Sequence, residues 1–157
     1  MNVVVISSSP SPLSRSSALL DGASAALSGR GVSTVRVGLR ELSAHALLHA
    51  RTTEPGVRDA LQKVAQAAAV VIGTPIYKAA YSGLLKAFLD LLPQDGLRGK
   101  WTWSLAVGGS PAHTLALDHS LRPVLDSLGA QQLGPSVFAL EAQVTLAGAG
   151  GAPAFDA

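Results

Sequence analysis

Short continuous apolar runs alternate along this chain with segments of helical spacing. Val3-Val4-Val5-Ile6 reads as a buried strand, and Ser16 to Leu27 places Leu19, Leu20, Ala23 and Leu27 on one helix face. Ser28-Gly29-Arg30-Gly31 stops that helix, and Val32 to Val37 alternates as a second strand. Pro55 to Ala68 predicts a helix with proline in its first turn, where a missing N–H costs nothing. The run Ala69-Val70-Val71-Ile72-Gly73 holds the third strand, expected over Val70 to Gly73, and Gly83 to Leu92 the next helix. Trp101 to Val107 is the fourth strand, Leu115 to Leu128 a further helix, and Gln132 to Leu140 the fifth strand. Strands and helices alternating at these intervals imply βαβ units and a parallel sheet, in the α/β class. The order 2-1-3-4-5 is expected, with helices on both faces as a three-layer sandwich. No internal repeat or linker divides the chain. Residues 1–140 are read as one domain and 141–157 as a tail, flexible at Ala147-Gly148-Ala149-Gly150-Gly151-Ala152-Pro153.

Composition narrows the function. Of the 157 residues, 48% are hydrophobic but only 4% aromatic, so Ala, Val and Leu must build the core. No apolar run reaches the roughly 18 residues of a membrane span. Met1 leads straight into a strand with no basic segment, so no signal peptide is visible and a cytoplasmic location is expected. With no Cys, disulfides, thiolate metal sites and cysteine catalysis are excluded. A net charge of +2, from scattered basic residues, gives no footprint for nucleic acid. His45, His49, Glu54 and Asp59 have no metal-ligand spacing, so no metal is expected.

Candidate chemistry falls in three loops at the carboxyl ends of strands one, three and four, the edge where open α/β sheets bind ligands. The first, Ser7 to Ser17, is rich in small hydroxyl residues and leads into a helix N-terminus, which favours an anion. Ser9, Arg15, Ser16 and Ser17 are the phosphate candidates, with Arg15 suited to charge-assisted hydrogen bonds. It is neither a Walker loop nor a GxGxxG loop. On its own it reads equally as a Ser/Pro-rich surface loop in which Ser14 caps the helix. The second loop, Pro75-Ile76-Tyr77-Lys78, pairs an aromatic and a cation with backbone N–H groups, suiting a flat hydrogen-bonding ring. The alternative is a pair of semi-buried tyrosines, Tyr77 and Tyr81, beside a solvated lysine. In the third, Gly108 and Gly109 permit close backbone approach, followed by Ser110 and His113. His113 is either a ligand contact or a loop histidine without a role.

The stretch Thr74-Pro-Ile-Tyr-Lys-Ala-Ala-Tyr-Ser-Gly-Leu-Leu-Lys-Ala-Phe-Leu-Asp-Leu-Leu-Pro93 closely resembles the flavin loop of NAD(P)H-dependent FMN reductases. It resembles especially those serving two-component alkanesulfonate monooxygenases. Ser14-Arg15-Ser16-Ser17, Gly108-Gly109-Ser110, Leu97-Arg-Gly-Lys100 and Leu121-Arg-Pro-Val-Leu125 also match, so the likeness runs from Val3 to near Val137. It implies a flavodoxin-like fold, FMN and NAD(P)H as cofactor and reductant, and hydride transfer that needs no protein acid or base. It further implies a homo-oligomer, dimer or tetramer, and an FMN-dependent monooxygenase as partner. Ser8 stands where many members have Gly. Members usually continue with a helix that covers one sheet face, so apolar surface is expected to lie exposed here unless a neighbouring subunit covers it.

Pro123 sits inside an apolar-periodic helix and denies the His119 carbonyl its usual partner. One extra residue accommodated there makes a π-bulge, often a mark of function. Similar enzymes carry such a bulge at a subunit interface, commonly with Tyr where this chain has His119. The alternative is that His119 is a plain residue of a polar face. Three rivals remain: a flavodoxin-type electron carrier, a quinone, azo-dye or metal-ion reductase with resident FMN, and a flavin-binding module without turnover. Electron carriers of that type are usually acidic, unlike this chain.

Overall fold

The computed structural model describes residues 2–146 and 154–155. Its elements run β1 (Val3–Ser7), α1 (Arg15–Ser28), β2 (Thr34–Gly38), α2 (Ala44–Leu48), α3 (Pro55–Gln66), β3 (Ala69–Tyr77), β4 (Ala80–Tyr81) and α4 (Gly83–Leu89). Then follow β5 (Trp101–Gly108), a π turn (Leu117–Leu121), α5 (Arg122–Ser127), β6 (Gln131–Gln132), β7 (Val137–Leu140), β8 (Val144–Thr145) and β9 (Ala154–Phe155). The main sheet is ordered β2-β1-β3-β5, with β6 and β7 both pairing in parallel along β5. This is the flavodoxin-like 2-1-3-4-5 arrangement, its fifth position split in two.

All five residues of β1 are buried, because both sheet faces are covered. Strand alternation sends Val4 and Ile6 into one core and Val3 and Val5 into the other. The chain moves one way from β1 to β2 and the opposite way through β3, β5 and β7. Right-handed crossovers therefore place α1 alone on one face and the later helices on the other. The helix-rich face holds the larger core, including Val57, Val64, Leu85, Phe88, Leu121 and Leu125. On the α1 face an apolar groove of about 400 Å³ stays open between Val3, Leu27, Ala69, Val71, Trp103, Leu133, Pro135 and Val137.

Several boundaries differ from the pattern-based expectation. The fifth strand is not continuous over Gln132 to Leu140. Gln131 lies opposite Trp101 and Val137 opposite Leu105, so the pairing offset grows from 30 to 32 and two residues bulge out. Gly134, at φ +73°, and Pro135, with no N–H to donate, make that interruption. Trp103 Nε1–H bridges it by donating to the Pro135 carbonyl at 3.1 Å. The third strand runs on past Gly73 to Tyr77 and turns back as β4, a hairpin the apolar run did not disclose. The helix after it ends at Leu89 rather than Leu92, with Pro93 close behind. Helix α2 carried too short a pattern to be read. The expected flexible stretch Ala147–Pro153 lies outside the described residues. Before it, Val144 is buried and β8 pairs antiparallel with β9.

The helix expected over Leu115 to Leu128 opens instead as the π turn. The Arg122 N–H bonds to the Leu117 carbonyl, five residues back, immediately before Pro123. The bulge inferred from the proline is therefore present, and His119 is exposed on it.

Candidate functional site

The site is organised by a hydrogen-bond network that ties the loops after β1 and β3 together. The Ser8 N–H and hydroxyl both donate to the Gly73 carbonyl, each at 3.0 Å. Ser82 Oγ–H donates to the Ser8 carbonyl at 2.8 Å, and the Ser82 N–H to Thr74 Oγ1 at 3.0 Å. Ser82 Oγ also caps α4 by accepting from the Leu85 N–H. Ser8, Thr74 and Ser82 are fully buried, so these bonds satisfy groups that would otherwise be costly. Ser8 is not among the residues with positive φ, so a side chain costs nothing at this position, where many similar enzymes have Gly.

Gly73 sets the depth of α1. A Cβ there would lie 3.0 Å from the Leu20 Cβ and 3.2 Å from the Ser16 carbonyl oxygen. The lack of one lets the start of α1 close onto the sheet edge. Ser14 caps this helix, accepting from the Ser17 N–H, so the capping expected for it is present. Ser14 Oγ lies 2.9 Å from Ser16 Oγ, and Ser7 Oγ lies 2.8 Å from Ser17 Oγ. Arg15 Nε–H donates to the Val144 carbonyl at 3.0 Å. Its two terminal nitrogens carry no hydrogen bond among the described residues, and they remain available to an anion.

A two-residue hairpin presents the aromatic. Ile76 pairs with Tyr81 and Tyr77 with Ala80, leaving Lys78 and Ala79 as the turn, at φ +50° and +62°. Two left-handed residues match the twist of a tight hairpin, a geometry that usually calls for Asn or Gly. Non-glycine residues held there store strain, which tends to gather at functional sites. Tyr77, just before the turn, has about half its surface exposed. Tyr81 behind it is half-buried. Burial pushes its phenol above the ordinary value, with Lys86 pulling the other way and Asp90 adding to the rise.

A cleft of about 190 Å³ brings together six of the sequence candidates, Ser9, Arg15, Ser16, Pro75, Ile76 and Tyr77. Ser11, Leu13, Ser14, Val107 and Glu141 also line it. Ser17 instead faces a neighbouring cleft toward β2, and Lys78 is exposed at the hairpin tip. Gly108 ends β5 opposite Leu140, where a Cβ would come within 2.9 Å of the Phe138 ring. Gly109 is exposed, and a Cβ on it would lie 3.8 Å from the Glu141 carboxyl. Ser110 accepts from the Ala112 N–H and begins the turn Pro111–His113. His113 is half-buried, its Nδ1 buried without a hydrogen-bond partner among the described residues. Neither His113 nor the two glycines line the cleft. Glu141 escaped the sequence reading, although its place just past the last strand of the parallel sheet was the available signal. The described residues hold no cluster of three or more metal-ligating side chains, and no helix among them is long and apolar enough to cross a membrane.

Flavodoxin-like topology with a hydroxyl- and arginine-lined cleft at the β1/β3 switch point defines a class of flavin-binding α/β proteins. The family model for NADPH-dependent FMN reductase matches residues 1–145, and the chain belongs to that family. It is 46% identical over 147 residues to the FMN reductase (NADPH) of Pseudomonas putida KT2440, covering 94% of this chain and 75% of that protein. It is 43% identical over 144 residues to the FMN reductase (NADPH) of Escherichia coli K12, covering 92% and 75%. Among solved structures, an apo NADH:FMN oxidoreductase superposes with a TM-score of 0.87 at 42% identity, over 90% of this chain and 76% of that one.

The residues present suit FMN. One end of the cleft offers hydroxyls, the start of a 14-residue helix and free guanidinium nitrogens. The lining also offers Pro75, Ile76 and the exposed Tyr77 ring, an apolar wall for a planar heterocycle.

Proposed function

We propose that this protein reduces FMN at the expense of NAD(P)H and releases the reduced flavin to a separate monooxygenase, one acting on sulfonates. As a family member it is an NAD(P)H-dependent FMN reductase, an oxidoreductase. The onward delivery and the sulfonate setting are the steps beyond. The open cleft carries this reading. Its walls bind through hydroxyls, one arginine and an exposed aromatic, and no lid among the described residues encloses it.

FMN and the nicotinamide supply the hydride chemistry between them, which leaves binding, orientation and exclusion of water to the chain. Ser9, Arg15 and Ser16 hold the phosphate. Pro75, Ile76 and Tyr77 hold the ring. Stopped-flow mixing of NADPH, free FMN and protein tests the function. Turnover of many FMN equivalents per chain, with reduced flavin accumulating in solution, is the expected result. A single stoichiometric reduction of bound flavin would overturn release and favour an FMN-resident reductase.

The working form is a homo-oligomer, a reading supported by the open apolar groove and by the exposed Leu48 and Leu133. His119, exposed on the π turn, contacts a neighbouring subunit and keeps FMN exchangeable. His119→Ala should shift sedimentation toward smaller species and slow FMN dissociation. Parent-like sedimentation together with parent-like FMN release would remove the residue from both roles.

A further inference from the structure

A second cleft, about 250 Å³, opens at the carboxyl end of β2 and shares Ser11, Leu13 and Ser14 with the first. The loop assigned to the FMN phosphate therefore lines both. Four charged side chains line the second: Asp21, Arg36, Arg40 and Glu41. Arg36 is paired with Asp21, which fixes its position and cancels that carboxylate. Arg40 is exposed and makes no ion pair or side-chain hydrogen bond among the described residues. Glu41 is folded back over Gly38, its carboxyl 2.7–3.2 Å from where a Cβ on that glycine would sit. A free guanidinium, a second arginine and the start of α1 thus line a hollow beside a phosphate site. FMN itself has one phosphate and leaves this hollow unexplained.

We propose that this cleft takes the phosphate-bearing adenosine half of a dinucleotide, with Arg40 as the specificity-determining residue. Two substrates carry that chemistry. In NADPH the recognised group is the adenosine 2′-phosphate. In FAD it is the adenylate attached to the phosphate that FMN places in the first cleft. The inference rests on the flavin reading above.

The test uses the FMN-loaded protein and three variants, Arg40→Ala, Arg40→Lys and Glu41→Gln. Adenosine 2′,5′-bisphosphate and adenosine 5′-monophosphate are titrated calorimetrically into the FMN-loaded proteins, and FAD and FMN binding to the flavin-free proteins is followed by flavin fluorescence. Arg40→Ala should weaken either the bisphosphate relative to the monophosphate, or FAD relative to FMN, by about tenfold. Arg40→Lys should restore part of the loss, and Glu41→Gln should tighten the same ligand. A change confined to the first pair assigns the cleft to NADPH, and one confined to the second assigns it to FAD. Both ratios unchanged, or FMN affinity falling in step with the others, would overturn the proposal. FMN binding and FMN reduction by the parent protein, with NADPH and with NADH as reductant, are measured alongside. Their absence would sink the flavin reading itself rather than the role of Arg40.

Discussion

Arg15→Ala should weaken FMN binding by about 1.5–3 kcal/mol, roughly ten- to 150-fold, while riboflavin binds as before. The size follows from a hydrogen bond between two charged partners at the start of a helix, where the dipole adds to the attraction for phosphate. Arg15 is also oriented in advance. Its Nε–H is spent on the Val144 carbonyl, so the guanidinium plane is set and little side-chain freedom is lost on binding. Arg15→Lys should recover only part of the affinity, because an ammonium cannot hold that carbonyl and bind phosphate in the same planar geometry. Fluorescence titration with both flavins reads the difference directly. An equal loss for FMN and riboflavin would mean that Arg15 supports the fold of the loop and does not touch phosphate.

The periodicity of the chain disclosed the centre of the sheet because β1 and the start of β3 are buried on both faces and so read as unbroken apolar runs. It failed where backbone geometry rather than hydrophobicity decides. The Lys78-Ala79 turn has no Asn or Gly to announce positive φ, and the split in the fifth strand depends on a two-residue slip that leaves the apolar pattern intact. The π turn was legible for the opposite reason, since a proline within an apolar helix is a covalent fact with a fixed hydrogen-bond consequence. At the site, loop positions at strand ends identified Ser9, Arg15, Ser16 and the Pro75–Tyr77 wall. Residues whose roles arise from distant contacts escaped. The Val144 carbonyl that orients Arg15 lies 129 residues away, and Arg36 and Arg40 matter only because β2 ends beside the first loop.

Phe88→Ala should cost about 3–5 kcal/mol of folding stability, through lost burial and the cavity left behind. Phe88 is fully buried and is the largest fully buried side chain described in the core. It lies on α4, among Leu85, Leu89 and the other side chains of the helix-rich face, where helix and sheet meet with little slack. Against a usual total of roughly 5–15 kcal/mol, such a loss brings the protein near its unfolding threshold. The effect should also reach the cleft. Helix α4 begins at Ser82, whose hydroxyl and N–H fasten the loops after β1 and β3 to each other. A loosened α4 relaxes that fastening, so FMN affinity should fall along with stability even though Phe88 does not line the site. Phe88→Leu keeps most of the volume, and its cost should stay below that of the alanine variant. Urea unfolding of the three proteins with and without FMN separates the two effects. A loss under about 1 kcal/mol for the alanine variant would show that the surrounding side chains collapse into the space, and that α4 is held by its cap instead.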